Sequence, residues 1–138
     1  MKITVRRKIL VIEDQPETLI AMILSLEYAG FCVFGVQTGR DGIRLSQQEE
    51  FDLVILNVNL PEQGGFEVFA WLKRDFRYSR TPIIFISDHW NEENRRHARE
   101  LGAADCIDKP LDAPAFVQRI VSHVRTPPTW PDKNVPEL

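Results

Sequence analysis

The chain has 138 residues, 43% of them hydrophobic, which is enough for one domain that buries about 68% of its unfolded surface. A net charge of -3 with a pI near 5.6 leaves no global reason to expect nucleic-acid or membrane binding, which needs a concentrated basic surface. Residues 1–7 are basic but lack the apolar stretch of a signal peptide, and no later run reaches the roughly 20 apolar residues of a membrane span, so a cytoplasmic protein is expected. Cys32 and Cys106, each in an apolar run, read as small buried thiols and not as a disulfide framework.

Short β-branched runs alternate with stretches of helical spacing, the pattern of a parallel sheet with helical crossovers. Lys8-Ile9-Leu10-Val11-Ile12 is the first strand and ends in Glu13-Asp14. Pro16 then stands in the first turn of a helix, where its missing N–H costs nothing, and Leu19, Ile20, Ile23 and Leu24 give that helix an apolar stripe. Gly30 stops it. Phe31 to Val36 is a second strand, after which Gly39 and Gly42 open a short helix around Ile43 and Leu45. Leu53-Val54-Ile55-Leu56 is apolar on both faces, as a central parallel strand must be, and runs straight into Asn57.

After the turn Pro61-Glu62-Gln63-Gly64-Gly65, residues Phe66, Phe69 and Leu72 mark a third helix that ends near Asp75. Pro82 starts a fourth strand, Ile83 to Ile86, which closes on Ser87-Asp88. Residues 91–101 have helix-forming composition but few apolar positions beyond Ala98 and Leu101, so this helix lies over the surface, free to face a partner. Gly102 ends it, Cys106-Ile107-Asp108 is a brief fifth strand, and Lys109-Pro110 terminates that strand. Phe116, Val117, Ile120, Val121 and Val124 then follow helical spacing. From Thr126 onward the prolines at 127, 128, 131 and 136 read as an extended tail or linker. The organisation expected is an extension at 1–7, one domain at 8–125 and a tail at 126–138.

Five β-α units running in one direction imply a doubly wound sheet whose functional crevice lies outside the carboxyl ends of the central strands. The residues delivered there are Glu13 and Asp14, Asn57, Ser87 and Lys109. Two carboxylates, a carboxamide, a hydroxyl and an ammonium therefore converge from most of the chain. Lys109 has a ready partner in Asp14. Asp14 also reads as a cap for the N–H groups near Pro16 and Glu17, and Asp88 as a cap for the helix after it.

These features resemble the receiver domain of bacterial response regulators over residues 8–125. The resemblance rests on five features in order: the acidic pair ending the first strand, an acceptor position ending the third with Leu60-Pro61 and Gly64-Gly65 downstream, the hydroxyl ending the fourth, Gly102-Ala103-Ala104-Asp105, and Lys109-Pro110. It implies a flavodoxin-like α/β fold, a five-stranded parallel sheet of order 2-1-3-4-5 with five helices. It also implies a Mg²⁺ site made by the acidic pair, the acceptor side chain and the backbone carbonyl two residues later, here Glu13, Asp14, Asn57 and Asn59. Ser87 and Lys109 fall where the family binds the phosphoryl oxygens.

Three departures from that family stand in this sequence. Asn57 occupies the acceptor position, and an amide carries no charge and cannot form an acyl phosphate, so phosphotransfer there is chemically excluded. Losing one carboxylate also weakens the ion site, because a unit-charge pair at ~4 Å is worth about 4 kcal/mol at an effective dielectric of ~20, so any Mg²⁺ site is expected to be weak or vestigial. Cys106 stands where the family has the Tyr or Phe that works with the Ser87 position as a switch, and Asp88 stands where it has a small residue. Trp90, beside that missing aromatic, could fill the vacated space or present itself to a partner.

The resemblance implies a two-component or phosphorelay signalling module, not an enzyme, that docks through its fourth helix, fifth strand and fifth helix. Trp90, Arg95 and Arg99 mark the expected partner face. The expected partners are proteins: a sensor histidine kinase, a phosphotransfer protein or an output protein, met as a monomer or weak homodimer, with no direct nucleic-acid or membrane contact. On spacing, Arg95, Arg96 and Arg99 alternate with Glu92, Glu93 and Glu100 as a salt-laced solvent face, and His89 and His97 lack a metal-ligand pattern. Two other readings stand beside this one. In the first, an ordinary phosphorylatable receiver has had its aspartate replaced by Asn57 through engineering. In the second, the sheet serves a flavodoxin-like enzyme or nucleotide binder, which fits poorly because Glu13, Asp14, Pro16 and Glu17 add negative charge and remove a donor where a phosphate loop needs free N–H groups.

Overall fold

Alternation of the kind read above resolves, in a computed structural model that describes residues 6–109 and 112–124, into five strands and five helices. In chain order they are β1 (Lys8–Ile12), α1 (Pro16–Tyr28), β2 (Cys32–Val36), α2 (Gly39–Gln48), β3 (Leu53–Asn57) and α3 (Gly65–Arg74). A 3-10 turn (Phe76–Tyr78) follows, then β4 (Ile83–Ser87), α4 (Glu92–Leu101), β5 (Asp105–Asp108) and α5 (Ala113–His123). The strands are all parallel in the order β2-β1-β3-β4-β5, so the expected doubly wound, flavodoxin-like fold is what forms. Pro110 and the tail at 126–138 lie outside the described residues.

Period-two alternation along the strands divides the core into two halves. Leu10, Ile12, Val54, Leu56 and Phe85 pack with Val68, Phe69 and Leu72 of α3 and Ala98 of α4. Ile9, Val11, Leu53, Ile55, Ile84 and Ile86 face the other way, onto Leu19, Met22 and Leu26 of α1 and Phe116 and Ile120 of α5. β3 and β4 are buried at every position, which follows from helices covering both faces of the sheet.

Several local expectations need correcting. The buried stripe of α1 is Leu19, Met22 and Leu26, whereas Ile20 and Leu24 are 55% and 61% exposed. More apolar residues lie on this helix than one face can hold, and the i, i+3, i+7 set faces the sheet, each large side chain contributing roughly 1.5–3 kcal/mol by burial. On α5, Val121 likewise faces outward while Phe116 and Ile120 are buried. β5 begins one residue earlier than expected, at Asp105. Cys32 and Cys106 are free thiols but only half-buried, and burial pushes the Cys106 thiol up.

The 3-10 turn had no counterpart in the expectations from sequence. Asp75 caps it by accepting from the Arg77 N–H at 3.0 Å, and the fully buried Tyr78 donates its hydroxyl to the Ser46 and Glu49 carbonyls at 2.7 and 2.9 Å. Lys73 closes the other side, its ammonium donating to the Tyr78 and Thr81 carbonyls at 2.8 Å each. The connection from α3 to β4 is thereby fastened to the end of α2.

Candidate functional site

The carboxyl ends of β1, β3, β4 and β5 bring Glu13, Asp14, Asn57, Ser87 and Lys109 into one cluster, as parallel strand order requires. At its centre is Asn57, 3% exposed. Its Nδ2 donates to Glu13 Oε2 at 3.1 Å and to Asp14 Oδ1 at 3.0 Å, while its Oδ1 accepts from the Asn59 N–H at 3.1 Å. Chemistry fixes this orientation of the amide. Ionised carboxylates only accept, so the NH₂ group must face them, and the backbone N–H only donates, so the oxygen must face it.

Glu13 is fully buried at the end of β1. Its Oε2 accepts from the Gln15 N–H at 3.0 Å as well as from Asn57, and its Oε1 lies 2.7 Å from the Lys109 ammonium. That last contact is an ion pair without a well-aligned hydrogen bond. The pairing of Lys109 with Asp14 expected from sequence is therefore corrected to Glu13. The deeper carboxylate has lost its water, so the counter-charge is needed there more than at the partly exposed Asp14.

Capping is also corrected. Gln15 is the residue before α1 and makes no side-chain cap bond, so Asp14 does not cap that helix, and its carboxylate goes to Asn57 instead. At α4 the cap is Asn91, whose Oδ1 accepts from the Asn94 N–H at 2.7 Å, while Asp88 is exposed.

Ser87 Oγ, 1% exposed as a residue, receives two donors: the His89 N–H at 3.1 Å and Asn59 Nδ2 at 3.3 Å. Asn59, expected to offer its backbone carbonyl to a metal, uses its N–H and its side-chain amide to tie Asn57 to Ser87. Nothing in the sequence signalled this second amide as the bridge across the cluster.

Close approach of α3 completes the floor. Gly65 donates its N–H to the Val58 carbonyl at 2.8 Å, and a Cβ built there would stand 2.3 Å from the Asn57 carbonyl oxygen and 2.8 Å from Val58 Cα. At Gly64 a Cβ would meet nothing within 4 Å. Of the two glycines, Gly65 is thus the one that the packing of α3 against the end of β3 requires.

Whether these side chains can hold a divalent cation follows from the donor set. A hard ion wants oxygen ligands, yet Asn57 turns its NH₂ toward the acidic pair and its oxygen away, and Glu13 is already bound to Lys109. Among the described residues no group of three or more His, Cys, Asp or Glu could hold a metal. As arranged, Glu13, Asp14, Asn57 and Asn59 offer a Mg²⁺ ion a poor oxygen set, because the Asn57 amide oxygen is turned away and Glu13 is paired with Lys109.

On the face made by α4, β5 and α5, Trp90 is half-buried against the core and donates its indole N–H to the Ile107 carbonyl at 2.9 Å. Part of the ring packs against the core and part stays exposed. Arg95 lies over its ring at 5.3 Å and pairs with Asp108 at 2.9 Å. The salt-laced α4 is corrected as well: among the described residues no ion pair joins an α4 arginine to an α4 glutamate. His89 and His97 are exposed, His97 resting edge-on against Phe66 at 4.5 Å.

Comparison with known proteins fits this architecture. The family model described as the response regulator receiver domain matches residues 9–121. Over 118 residues the chain is 36% identical to the transcriptional activator protein IrlR of Burkholderia pseudomallei, covering 86% of this chain but only 50% of that protein. The chain thus spans about half the length of this curated relative. Among solved structures, the chemotaxis protein CheY4 of Vibrio cholerae superposes with a TM-score of 0.83 at 24% identity, covering 86% of this chain and 99% of that one. The receiver domain of the sensor histidine kinase PA1611 of Pseudomonas aeruginosa, described with a magnesium ion coordinated in its active site cleft, gives a TM-score of 0.77 at 23% identity, covering 87% and 98%.

Proposed function

This chain belongs to the response regulator receiver domain family of two-component signalling, and from that premise we propose that it works without aspartyl phosphorylation, by docking to a protein partner. Asn57 stands at the phosphoacceptor position. The observation that carries the reading is the bridge from Asn57 Nδ2 to Glu13 and Asp14. A carboxylate at 57 would be a third anion beside two others and would need a cation to hold it there; the amide supplies two donors in that place and leaves the cluster satisfied without one. A neutral amide is also no nucleophile toward a phosphohistidine or a small phosphodonor.

The rest of the cluster agrees with this role. Ser87 Oγ and Lys109, the groups that would receive a phosphoryl oxygen, are engaged by Asn59 and Glu13. The magnesium described in the PA1611 cleft belongs to that protein, and here we assign at most weak binding. The module acts in the cytoplasm as a signalling part and not as a catalyst. Its partner is a sensor kinase, a phosphotransfer protein or an output protein met on the α4-β5-α5 face, where Arg95 and Arg99 stand.

Incubation with acetyl phosphate and Mg²⁺, followed by intact mass measurement, tests this. The chain as it stands gains no phosphoryl group. An Asn57→Asp variant separates the two origins of the asparagine: prompt acyl-phosphate formation favours a replaced aspartate in an otherwise competent receiver, and no formation favours a site that has lost its chemistry altogether. A phosphoryl group on the unaltered pocket sinks the proposal.

A further inference from the structure

A cavity of about 460 Å³ opens between the start of α2 and the turn that leads into α3. Ile43 and Trp71 give it apolar walls, and Arg40, Glu62, Gln63 and Glu67 bring polar groups to its edge. None of Glu13, Asp14, Asn57, Ser87 or Lys109 lines it, so it is separate from the strand-end cluster. Its volume lies within the range of small-molecule sites, roughly 300–1,000 Å³.

The charged groups around this space have no partners of their own. Among the described residues Arg40, Glu62 and Glu67 form no ion pair and no side-chain hydrogen bond, although one guanidinium and two carboxylates border the same cavity. By contrast Arg44, one turn along α2 from Arg40, pairs with Asp41 at 3.5 Å. Glu62 is held at the rim by a tight turn, in which the Gln63 N–H donates to the Pro61 carbonyl at 2.7 Å and Glu62 takes a φ of 68°. Trp71 is 48% exposed and follows Glu67 by one turn of α3, so the two share a face. Arg74 lies over the Trp71 ring at 4.6 Å and is not part of the lining. The ring thus already holds one guanidinium, and the part of it that borders the cavity is left for a second.

We infer that this cavity binds a small basic amino acid of the free-arginine type, its guanidinium against Trp71, Glu62 and Glu67 and its carboxylate against Arg40. Charge decides the class: two carboxylates and one guanidinium are matched by a ligand that carries two cationic groups and one anionic group. A planar guanidinium pairs with carboxylates through its fork and stacks on indole, so it suits this wall better than a compact ammonium. Arg40 stands in the first turn of α2, whose positive end also favours the ligand carboxylate. Binding here is separate from the docking role proposed above and does not depend on it.

The test titrates L-arginine into the ¹⁵N-labelled chain at low salt, with agmatine (arginine without its carboxylate), L-glutamate, guanidinium chloride and triarginine as comparators. L-arginine is expected to move the Trp71 indole N–H and the Gln63 side-chain amide saturably. L-glutamate leaves them in place, and guanidinium chloride at equal concentration moves them less. Exposed contacts are individually weak, so Glu62→Gln, Glu67→Gln and Trp71→Ala should each lower the affinity about threefold, and Arg40→Ala should do so for L-arginine but not for agmatine. All four side chains are exposed, so these variants keep the fold, which the dispersion of the amide spectrum checks. Shifts that do not saturate, equal shifts from guanidinium chloride, unchanged affinity in a Glu62→Gln, Glu67→Gln double variant, or an Arg40→Ala effect that is the same for agmatine overturns the inference. Saturation by triarginine but not by free arginine also overturns it, in favour of a basic segment of a protein.

Discussion

Lys109 places its ammonium 2.7 Å from Oε1 of Glu13, and the two side chains are only 6% and 0% exposed. Removing the lysine strands a buried carboxylate, whose remaining oxygen keeps the donors from Gln15 and Asn57. Lys109→Met is expected to cost about 3 kcal/mol, the lower end of the range for breaking a buried pair. Adding Glu13→Gln to that variant removes the stranded charge and recovers part of the loss. Urea unfolding midpoints of the single and double variants check this. An unchanged midpoint for Lys109→Met would show that the pair is solvated.

Gly65 and Gly64 offer a matched pair. A methyl group at 65 must push against the Asn57 carbonyl and Val58 backbone, whereas one at 64 meets open space. Gly65→Ala should destabilise by about 1–3 kcal/mol, the usual cost of overpacking, and should perturb the Asn57 side-chain resonances. Gly64→Ala should change stability by less than about 0.5 kcal/mol.

Acid should loosen β5 from α5. Burial pushes the Asp105 carboxyl up, but Arg119, His123 and the Cys106 N–H outweigh it and hold the group below its ordinary value. A carboxyl whose pKa is depressed on folding stabilises the fold above its unfolded pKa of about 3.9, and that contribution disappears as pH falls through the lower folded value. Stability followed by thermal unfolding should thus fall below about pH 4. In Asp105→Asn that acid-side slope should be shallower, because one of the groups that drives it is gone.

Strand ends were legible because their place depends only on chain order and parallel topology, which fix Glu13, Asp14, Asn57, Ser87 and Lys109 at one edge of the sheet. Who pairs with whom was not. The choice of Glu13 over Asp14 as the partner of Lys109 depends on which carboxylate loses its water, a property of packing between distant elements. The α1 stripe failed for a related reason: Ile20 and Leu24 fit a helical period as well as Met22 and Leu26 do, and only the sheet decides which face turns inward. The 3-10 turn carried a usable signal in Asp75 ahead of Phe76-Arg77-Tyr78, since an aspartate that can cap often opens a turn. Asn59 as the tie between Asn57 and Ser87 had no signal at all, because it rests on distances between β3 and β4 ends.

In the proposed role, the amide of Asn57 does the work of a cation between Glu13 and Asp14. The most direct measurement is a titration with Mg²⁺ and beryllofluoride, followed through the side-chain NH₂ signals of Asn57 and the backbone amides of Asp14 and Ser87. These signals are predicted to stay where they are, while Asn57→Asp, which puts a third carboxylate in the cluster, should respond to the ion. Saturable movement of the Asn57, Asp14 and Ser87 signals in the unaltered chain, at millimolar Mg²⁺, would contradict it.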